Sequence, residues 1–481
     1  MAEKIPSTDL RLEPGSFRDR NSRVVYADGR IRRVLNARAF AHYQALSAAD
    51  FFAVRQADGS LVATRAVLEE ESPAELATGD SEAWVAQLEH ERIEFLSYAY
   101  EWPFHMLKDA ALLHLDLLQD ALAADLILKD STPFNIQWRG ARPVFIDVPS
   151  FETLAPGETW TGYRQFCCMF LYPLFLQAYK NIPYHAYLRG SLEGIAPDVM
   201  NRHMSARDYF RAGVMTHVYL QSALEKRYSA NTTNVRSAVA DAGFHKEIIR
   251  NNVRGLSKII RALEWGDDRS QWSHYATETS YDTAETERKR AFVERAAAMT
   301  KPDLAWDLGC NTGDYSRIVA RYARTVVAMD ADHLAVDRLY RQLKAEREDS
   351  ITAGVNILPL VMNLADPSPA LGWRGAERKN LPDRGRPKLI LSLALIHHVV
   401  IAANIPVREF LAWLASLGAA LVIEFVTRQD EMVQTLLRNK ADQYSDYHTD
   451  YFERCLNELF HVREREELKS GRRILYFAQP A

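Results

Sequence analysis

Two aspartates and two glycines in the second half of the chain have the types and spacing of a ligand cradle. Asp307, Gly309 and Gly313 stand in "WDLGCNTGDYS", Trp306 to Ser316, where an apolar run leads into a glycine turn and then a helical pattern; Asp330 closes the next apolar run, "TVVAMD". Such a turn brings backbone N–H groups and a helix N-terminus close to a bound molecule. A dinucleotide fingerprint, G-x-G-x-x-G, would need glycine where this chain has Asn311 and Asp314, and no Lys-Ser or Lys-Thr follows Gly313 as a phosphate loop requires. Asp314 also places a carboxylate where a helix dipole would otherwise favour a pyrophosphate. The chemistry left is recognition of a nucleoside-like ligand that has no phosphates and carries a positive charge.

These residues resemble the first motif of class I S-adenosylmethionine-dependent methyltransferases, approximately D-x-G-x-G-x-G, with Asn311 departing at the middle glycine. The resemblance implies S-adenosyl-L-methionine as cofactor. Asp307 would receive the methionine ammonium, and the backbone of Gly309, Asn311 and Gly313 would let the cofactor lie close. Asp330, 23 residues after Asp307, would accept the ribose hydroxyls, with Asp332 as the alternative, and Asn363 after "ILPLVM" would border the adenine with Leu364 on the ring. The run "KLILSLAL" brings Ser392, and then "LIHHVVIAANIP", to the same edge. Transfer of a methyl group to an alcohol needs a group that takes the hydroxyl proton, and a neutral imidazole suits. His397 and His398 are the candidates; successive residues point differently on a helix, so at most one faces the methyl, and packing or capping is the other role for each. Glu424 is open between orienting a substrate and a salt bridge, and Tyr275 and Tyr281 between closing over the cofactor and packing between domains. No set of clustered carboxylates indicates a catalytic metal.

A second constellation lies in "LKDSTPFNIQWRGARPVFIDV", Leu128 to Val148. Asp130, Asn135 and Asp147 resemble, in order and spacing, the catalytic Asp, the Asn five residues on and the metal-binding Asp of kinase-like phosphotransferases. That resemblance implies ATP and Mg²⁺ if the module is active. Leu128 stands in place of the usual His, "DVP" in place of D-F-G, no glycine-rich loop is evident, and Lys4 is the only lysine before Lys108. Three readings stay open: a degenerate kinase-like module that binds acceptor or partner, an active kinase, and a coincidence of turn residues in another fold.

The elements that must position these groups divide the chain in two. "SRVVYADGRIRRVLN" and "FFAVRQADGSLVATRAV" each place Asp-Gly between apolar runs, predicting β-hairpins and an antiparallel region over about residues 20–70. Helical spacing follows over 91–124 and 163–265, as in Ile248, Ile249, Val253, Leu256, Ile259, Ile260 and Leu263. The polar stretch 266–290 reads as a linker between a kinase-like α+β domain, 1–265, and a methyltransferase domain, 291–481. Beyond it, strands and helices alternate as in a parallel Rossmann-like sheet covered on both faces, and "HVREREEL" with "RRILYFAQP" predicts a terminal antiparallel hairpin.

A net charge of −4 gives no whole-chain argument for nucleic acid. The longest apolar run, "FCCMFLYPLFL", is too short to span a bilayer. Four cysteines without a C-x-x-C pair read as reduced and buried, and the N-terminus lacks an apolar signal core, so a cytoplasmic protein is expected. The whole chain resembles a bacterial family of two-part methyltransferases, some linked to nodulation. That likeness implies a small-molecule or saccharide acceptor, with a bifunctional kinase/methyltransferase and a non-catalytic scaffold as the competing readings.

Overall fold

The computed structural model of the chain describes residues 11–67, 84–229, 246–265, 283–349, 356–438, 440 and 444–481. Tyr275 and Tyr281 lie outside the described residues.

The first Asp-Gly forms the expected hairpin: β2 (Ser22–Ala27) and β3 (Arg30–Leu35) pair antiparallel with Ala27 opposite Arg30. Asp28 and Gly29 both take positive φ, 52° and 72°, which matches the right-handed twist of the strands. With β1 (Arg11–Leu12), β4 (Thr64–Ala66) and β5 (Ala86–His90) they complete a five-stranded antiparallel sheet in the order β1-β2-β3-β5-β4. The second Asp-Gly does not make a hairpin. "DFFAVRQA" is the Asp50–Ala57 helix, and Gly59, with φ 72°, follows its C-terminus. A glycine at positive φ serves a helix end as readily as a hairpin, so the dipeptide does not separate the two. A further helix, Ala37–Ser47, is capped by Asn36, whose Oδ1 accepts from the Ala39 N–H at 3.0 Å. Residues 37–57 are therefore mostly helical rather than antiparallel β.

The next layer is built on the Phe104–Ala123 helix, which begins after Pro103 and buries most of its side chains. Around it lie the short pairs β6 (Leu126–Leu128) with β9 (Phe151–Thr153) and β7 (Ile136–Arg139) with β8 (Arg142–Phe145). The apolar run Phe166 to Leu176 is helical and buried; a wide π-type turn over Cys167–Leu171 precedes Pro173, which has no N–H to give the helix. All four cysteines are free and buried.

The second half is a seven-stranded, parallel-rich sheet. Its strands are β10 (Leu304–Leu308), β11 (Thr325–Asp330), β12 (Ile357–Val361), β13 (Leu389–Ser392), β14 (Ala420–Val426), β15 (Phe460–Glu467) and β16 (Arg473–Pro480), in the order β12-β11-β10-β13-β14-β16-β15. The first five run parallel, and β16 enters antiparallel between β14 and β15, the terminal hairpin expected. The central strands are buried along their length because helices cover both faces.

The halves share one hydrophobic core. Phe95 meets Trp306 edge-to-face at 6.3 Å, the His105 ring lies 2.7 Å from Asp337, and Asp109 accepts from Tyr340 and Lys344. The segment between β12 and β13 folds back over the first half. There Arg384 forms a buried fork with Glu101, both contacts 2.7 Å, and Arg378 stacks 3.7 Å over the ring of Phe134.

Candidate active site

Register brings the singled-out strand ends into one row. Leu308 is opposite Met329 on one side and Ser392 on the other, and Asp330 is opposite Val361, so Asp307, Asp330, Asn363 and Ser392 come to the carboxyl edge of the parallel sheet. That edge is where open α/β sheets hold ligands. Gly313, at φ 83°, starts the Asp314–Ala320 helix, and a Cβ there would stand 2.6 Å from the Leu339 side chain, so only glycine fits the turn. Asn311 also takes positive φ, 48°, which asparagine tolerates better than most residues and which explains its place at the middle glycine.

Asp307 is buried and accepts from Ser316 Oγ at 2.5 Å; burial is the main cause that pushes its carboxyl up to about 6, with the charge of Asp330 adding to it. Asp330 accepts from the N–H groups of Asn311 (2.8 Å) and Asp332 (2.9 Å), one on each oxygen, which leaves lone pairs for further donors. Burial raises this carboxyl as well. Asp332 caps the His333–Asp349 helix through the N–H groups of Leu334 and Ala335. Asn363 is exposed, and its Oδ1 accepts from Ala365 N–H at 3.0 Å. Ser392 Oγ is buried with no hydrogen-bond partner among the described residues.

After β13 the chain turns into a wide helical turn, His398–Ala402, and the two histidine rings lie 4.1 Å apart. His397 is buried, and neither ring nitrogen has a hydrogen-bond partner among the described residues. Burial, then the charges of His398 and Arg473, hold it well below the usual histidine range. His398 is partly open to solvent, with burial pushing it down to about 4. Both imidazoles are therefore neutral near pH 7 and able to accept a proton.

Glu424 is at the centre of a buried ion network: Lys289 Nζ is 2.6 Å from one oxygen and Arg473 3.3 Å from the other, and Arg473 continues to Asp430 at 3.0 Å. Of the two roles left open by the sequence, the salt bridge is the one the structure contains. Lys289 comes from the Thr283–Thr300 helix, whose first residues fall within the stretch 266–290 expected as a linker. Its ammonium also faces the Tyr315 ring at 4.7 Å. The signal was its spacing: Glu285, Lys289, Phe292, Val293, Ala296 and Ala297 form one buried stripe, whose first two members are charged.

In the first half, Asp130, Asn135 and Asp147 surround the base of the β7–β8 hairpin, which is fastened by Ile146 N–H to the Asn135 carbonyl at 2.8 Å. Asp147 Oδ1 accepts from Arg33 of β3 at 2.7 Å, and Oδ2 accepts from the Ser150 hydroxyl; the Asn135 amide donates to that same hydroxyl at 3.1 Å. Burial, then the Asp147 charge, pushes Asp130 up to about 6. Behind this loop, Ser131 Oγ is held by His114 (3.0 Å) and Trp160 (3.2 Å). Arg33 carries no local signal for this role, since its partner Asp147 lies far along the chain. Among the described residues no group of three His, Cys, Asp or Glu is placed to hold a metal ion, and no helix is long and apolar enough to cross a membrane.

No protein-family model matches the chain. S-adenosylmethionine-dependent methyltransferases are among the solved structures it resembles, at low overall similarity. N-methyltransferase NodS from Bradyrhizobium japonicum WM9 in complex with S-adenosyl-L-homocysteine is 12% identical, with a TM-score of 0.31 over 45% of this chain and 100% of that one. Magnesium protoporphyrin IX methyltransferase from Synechocystis PCC 6803 with bound S-adenosylmethionine is 16% identical, TM-score 0.28, over 45% and 88%. The bifunctional kinase-methyltransferase WbdD is 16% identical, TM-score 0.29, over 43% and 41%. In sequence, the chain is 32% identical over 472 residues to nodulation protein NoeA of Rhizobium meliloti (strain 1021), covering 96% of this chain and 94% of that protein. The chain belongs to the family of that nodulation protein.

Proposed function

We propose that the protein is an S-adenosyl-L-methionine-dependent methyltransferase that methylates a hydroxyl of a small metabolite or saccharide. Residues 291–481, together with the start of the Thr283–Thr300 helix, carry the transfer, and residues 1–265 recognise the acceptor. The observation behind this reading is the single row formed by Asp307, Asp330, Asn363 and Ser392 at the carboxyl edge of the sheet. The residues present fit such a cofactor: the buried Ser392 hydroxyl has no partner among the described residues, and Asp330 keeps lone pairs beyond the two N–H groups it accepts.

When bound, the cofactor supplies a methyl group on a sulfonium. Asp307 holds the ammonium end, and the backbone of Gly309, Asn311 and Gly313 lies along it. Asp330 accepts the ribose hydroxyls, since Asp332 is committed to its helix cap. Asn363 borders the base and Ser392 Oγ donates at the strand edge. His398, neutral and partly open, takes the proton from the acceptor hydroxyl, while His397 packs against it from the interior.

Calorimetry with S-adenosyl-L-homocysteine tests the reading on folded, cofactor-free protein. Binding is expected in the wild type and its loss in Asp307→Ala; a folded wild type that takes up no cofactor overturns it.

A further inference from the structure

The kinase-like arrangement implies a divalent cation held by Asp147 and Asn135. Asp147 does not fit one, because a guanidinium already sits on its carboxylate. Asp147 spends Oδ1 on Arg33 and Oδ2 on the Ser150 hydroxyl, and the Asn135 amide gives its N–H to that same hydroxyl. Asp147 is thus tied through one oxygen to a guanidinium and through the other to a buried hydroxyl, which also takes the Asn135 N–H. Ser150 is buried, which fixes the two bonds at its oxygen.

Arg33 is not a loose surface side chain that swings aside. It lies on β3, between β2 and β5 in the five-stranded sheet, with Val24 opposite on one side and Leu88 on the other. Its side chain is 13% exposed, and the same Nη1 that meets Asp147 also donates to Ser22 Oγ at 3.3 Å. A Mg²⁺ ion needs oxygen ligands at about 2.0–2.1 Å in near-octahedral geometry, and a guanidinium on Asp147 both takes the ligand and repels the ion.

We infer that Arg33 is the resident cation of this cleft, standing where a kinase-like site would hold its divalent metal, so that the N-terminal half takes its ligand without Mg²⁺. The inference rests on the kinase-like reading of Asp130, Asn135 and Asp147, and is independent of the methyl-donor reading. Its chemical consequence is a restriction on the ligand. Lys129 is engaged with Glu152 at 3.3 Å, and the Asp19 and Asp147 carboxylates act on Asp130 through space. A triphosphate entering without a metal meets these carboxylates, whereas a hydroxyl-bearing, phosphate-free ligand can donate to them.

The test uses the full chain and Mn²⁺ as the probe, followed by electron paramagnetic resonance with and without the non-hydrolysable nucleotide AMP-PNP. Wild type is expected to leave the free Mn²⁺ signal unchanged. Arg33→Met, which empties the position without adding a ligand, is expected to gain one Mn²⁺ site at least about tenfold tighter than wild type, and Asp147→Asn in the same chain is expected to abolish it. Arg33→Gln provides a second chain should the Met variant fold poorly, with far-ultraviolet circular dichroism as the check. A wild type that binds Mn²⁺ through Asp147 overturns the inference, and so does a folded Arg33 variant that gains no site. Binding of S-adenosyl-L-homocysteine, measured on the same proteins, reports separately: its absence from wild type sinks the methyl-donor reading and leaves the cation result standing.

Discussion

His398 is held near a pKa of about 4, so its imidazole remains a proton acceptor at every pH well above that. If it is the base, kcat keeps its acid-side plateau down to roughly pH 5 and falls as pH drops through about 4, instead of falling near the ordinary histidine value. His398→Asn is expected to lower kcat by roughly 10²–10⁴ with cofactor affinity unchanged, read by single-turnover kinetics beside calorimetry. An equal loss from His397→Asn with no change for His398→Asn would reverse the assignment. At this scale the sequence was readable where chemistry is local: Asp307, Gly309 and Gly313 share one turn, and Asp330 closes the neighbouring strand. It was unreadable where a group is defined by a distant partner. Arg33 meets Asp147 114 residues on, and Lys289 meets Glu424 of β14, which no local spacing announces.

The Thr283–Thr300 helix draws its role from a charge in its apolar stripe. Lys289 is buried, and burial lowers its pKa while Glu424 opposes that shift. Removing one partner of such a pair leaves the other charge buried and unmatched, so Lys289→Met is expected to destabilise the protein by about 3–5 kcal/mol in urea denaturation. The double variant Lys289→Met, Glu424→Gln is expected to recover part of that loss; a purely additive result would mean the pair is not coupled. The first hairpin offers the opposite case. A Cβ on Gly29 would touch nothing, so Gly29→Ala is expected to cost only the backbone strain of positive φ, about 1–2 kcal/mol. Elements with a strong period or a tight turn were legible: β2 and β3, the alternating strands and helices, and the terminal hairpin. The stretch "DFFAVRQADG" misled because its glycine satisfies two different geometries, and the linker expectation ran into a helix because buried charges hide an apolar stripe.

For the whole molecule, acid sensitivity follows from buried histidines. His90 and His114 are pushed down to about 3, and His217 and His398 to about 4, mainly by burial. Between those values and about 6.5 the unfolded chain binds protons that the folded chain does not, so stability falls as pH drops through that window. Asp130 and Asp307, raised to about 6, act oppositely between about 4 and 6, since the folded chain then holds the extra proton. His42, His185, His333 and His397 are lowered by burial too, and Asp116 and Asp330 raised, so among the described residues the histidines outnumber the raised carboxyls and a urea midpoint that decreases from pH 7 to pH 4.5 is expected. A single unfolding transition is also expected, because both halves contribute to one core and the Arg384–Glu101 pair is buried between them. Two resolved transitions would show that the halves unfold independently.

That buried pair also sets a schedule for synthesis. Glu101 leaves the ribosome 283 residues before Arg384, and its other contacts, the Ser368 hydroxyl and the Tyr98 N–H, are divided between the late and the early chain. At bacterial or eukaryotic translation rates of about 5–20 residues per second, the carboxylate waits roughly 15–60 s for its guanidinium. During that interval the acid is without the guanidinium that matches it in the folded chain.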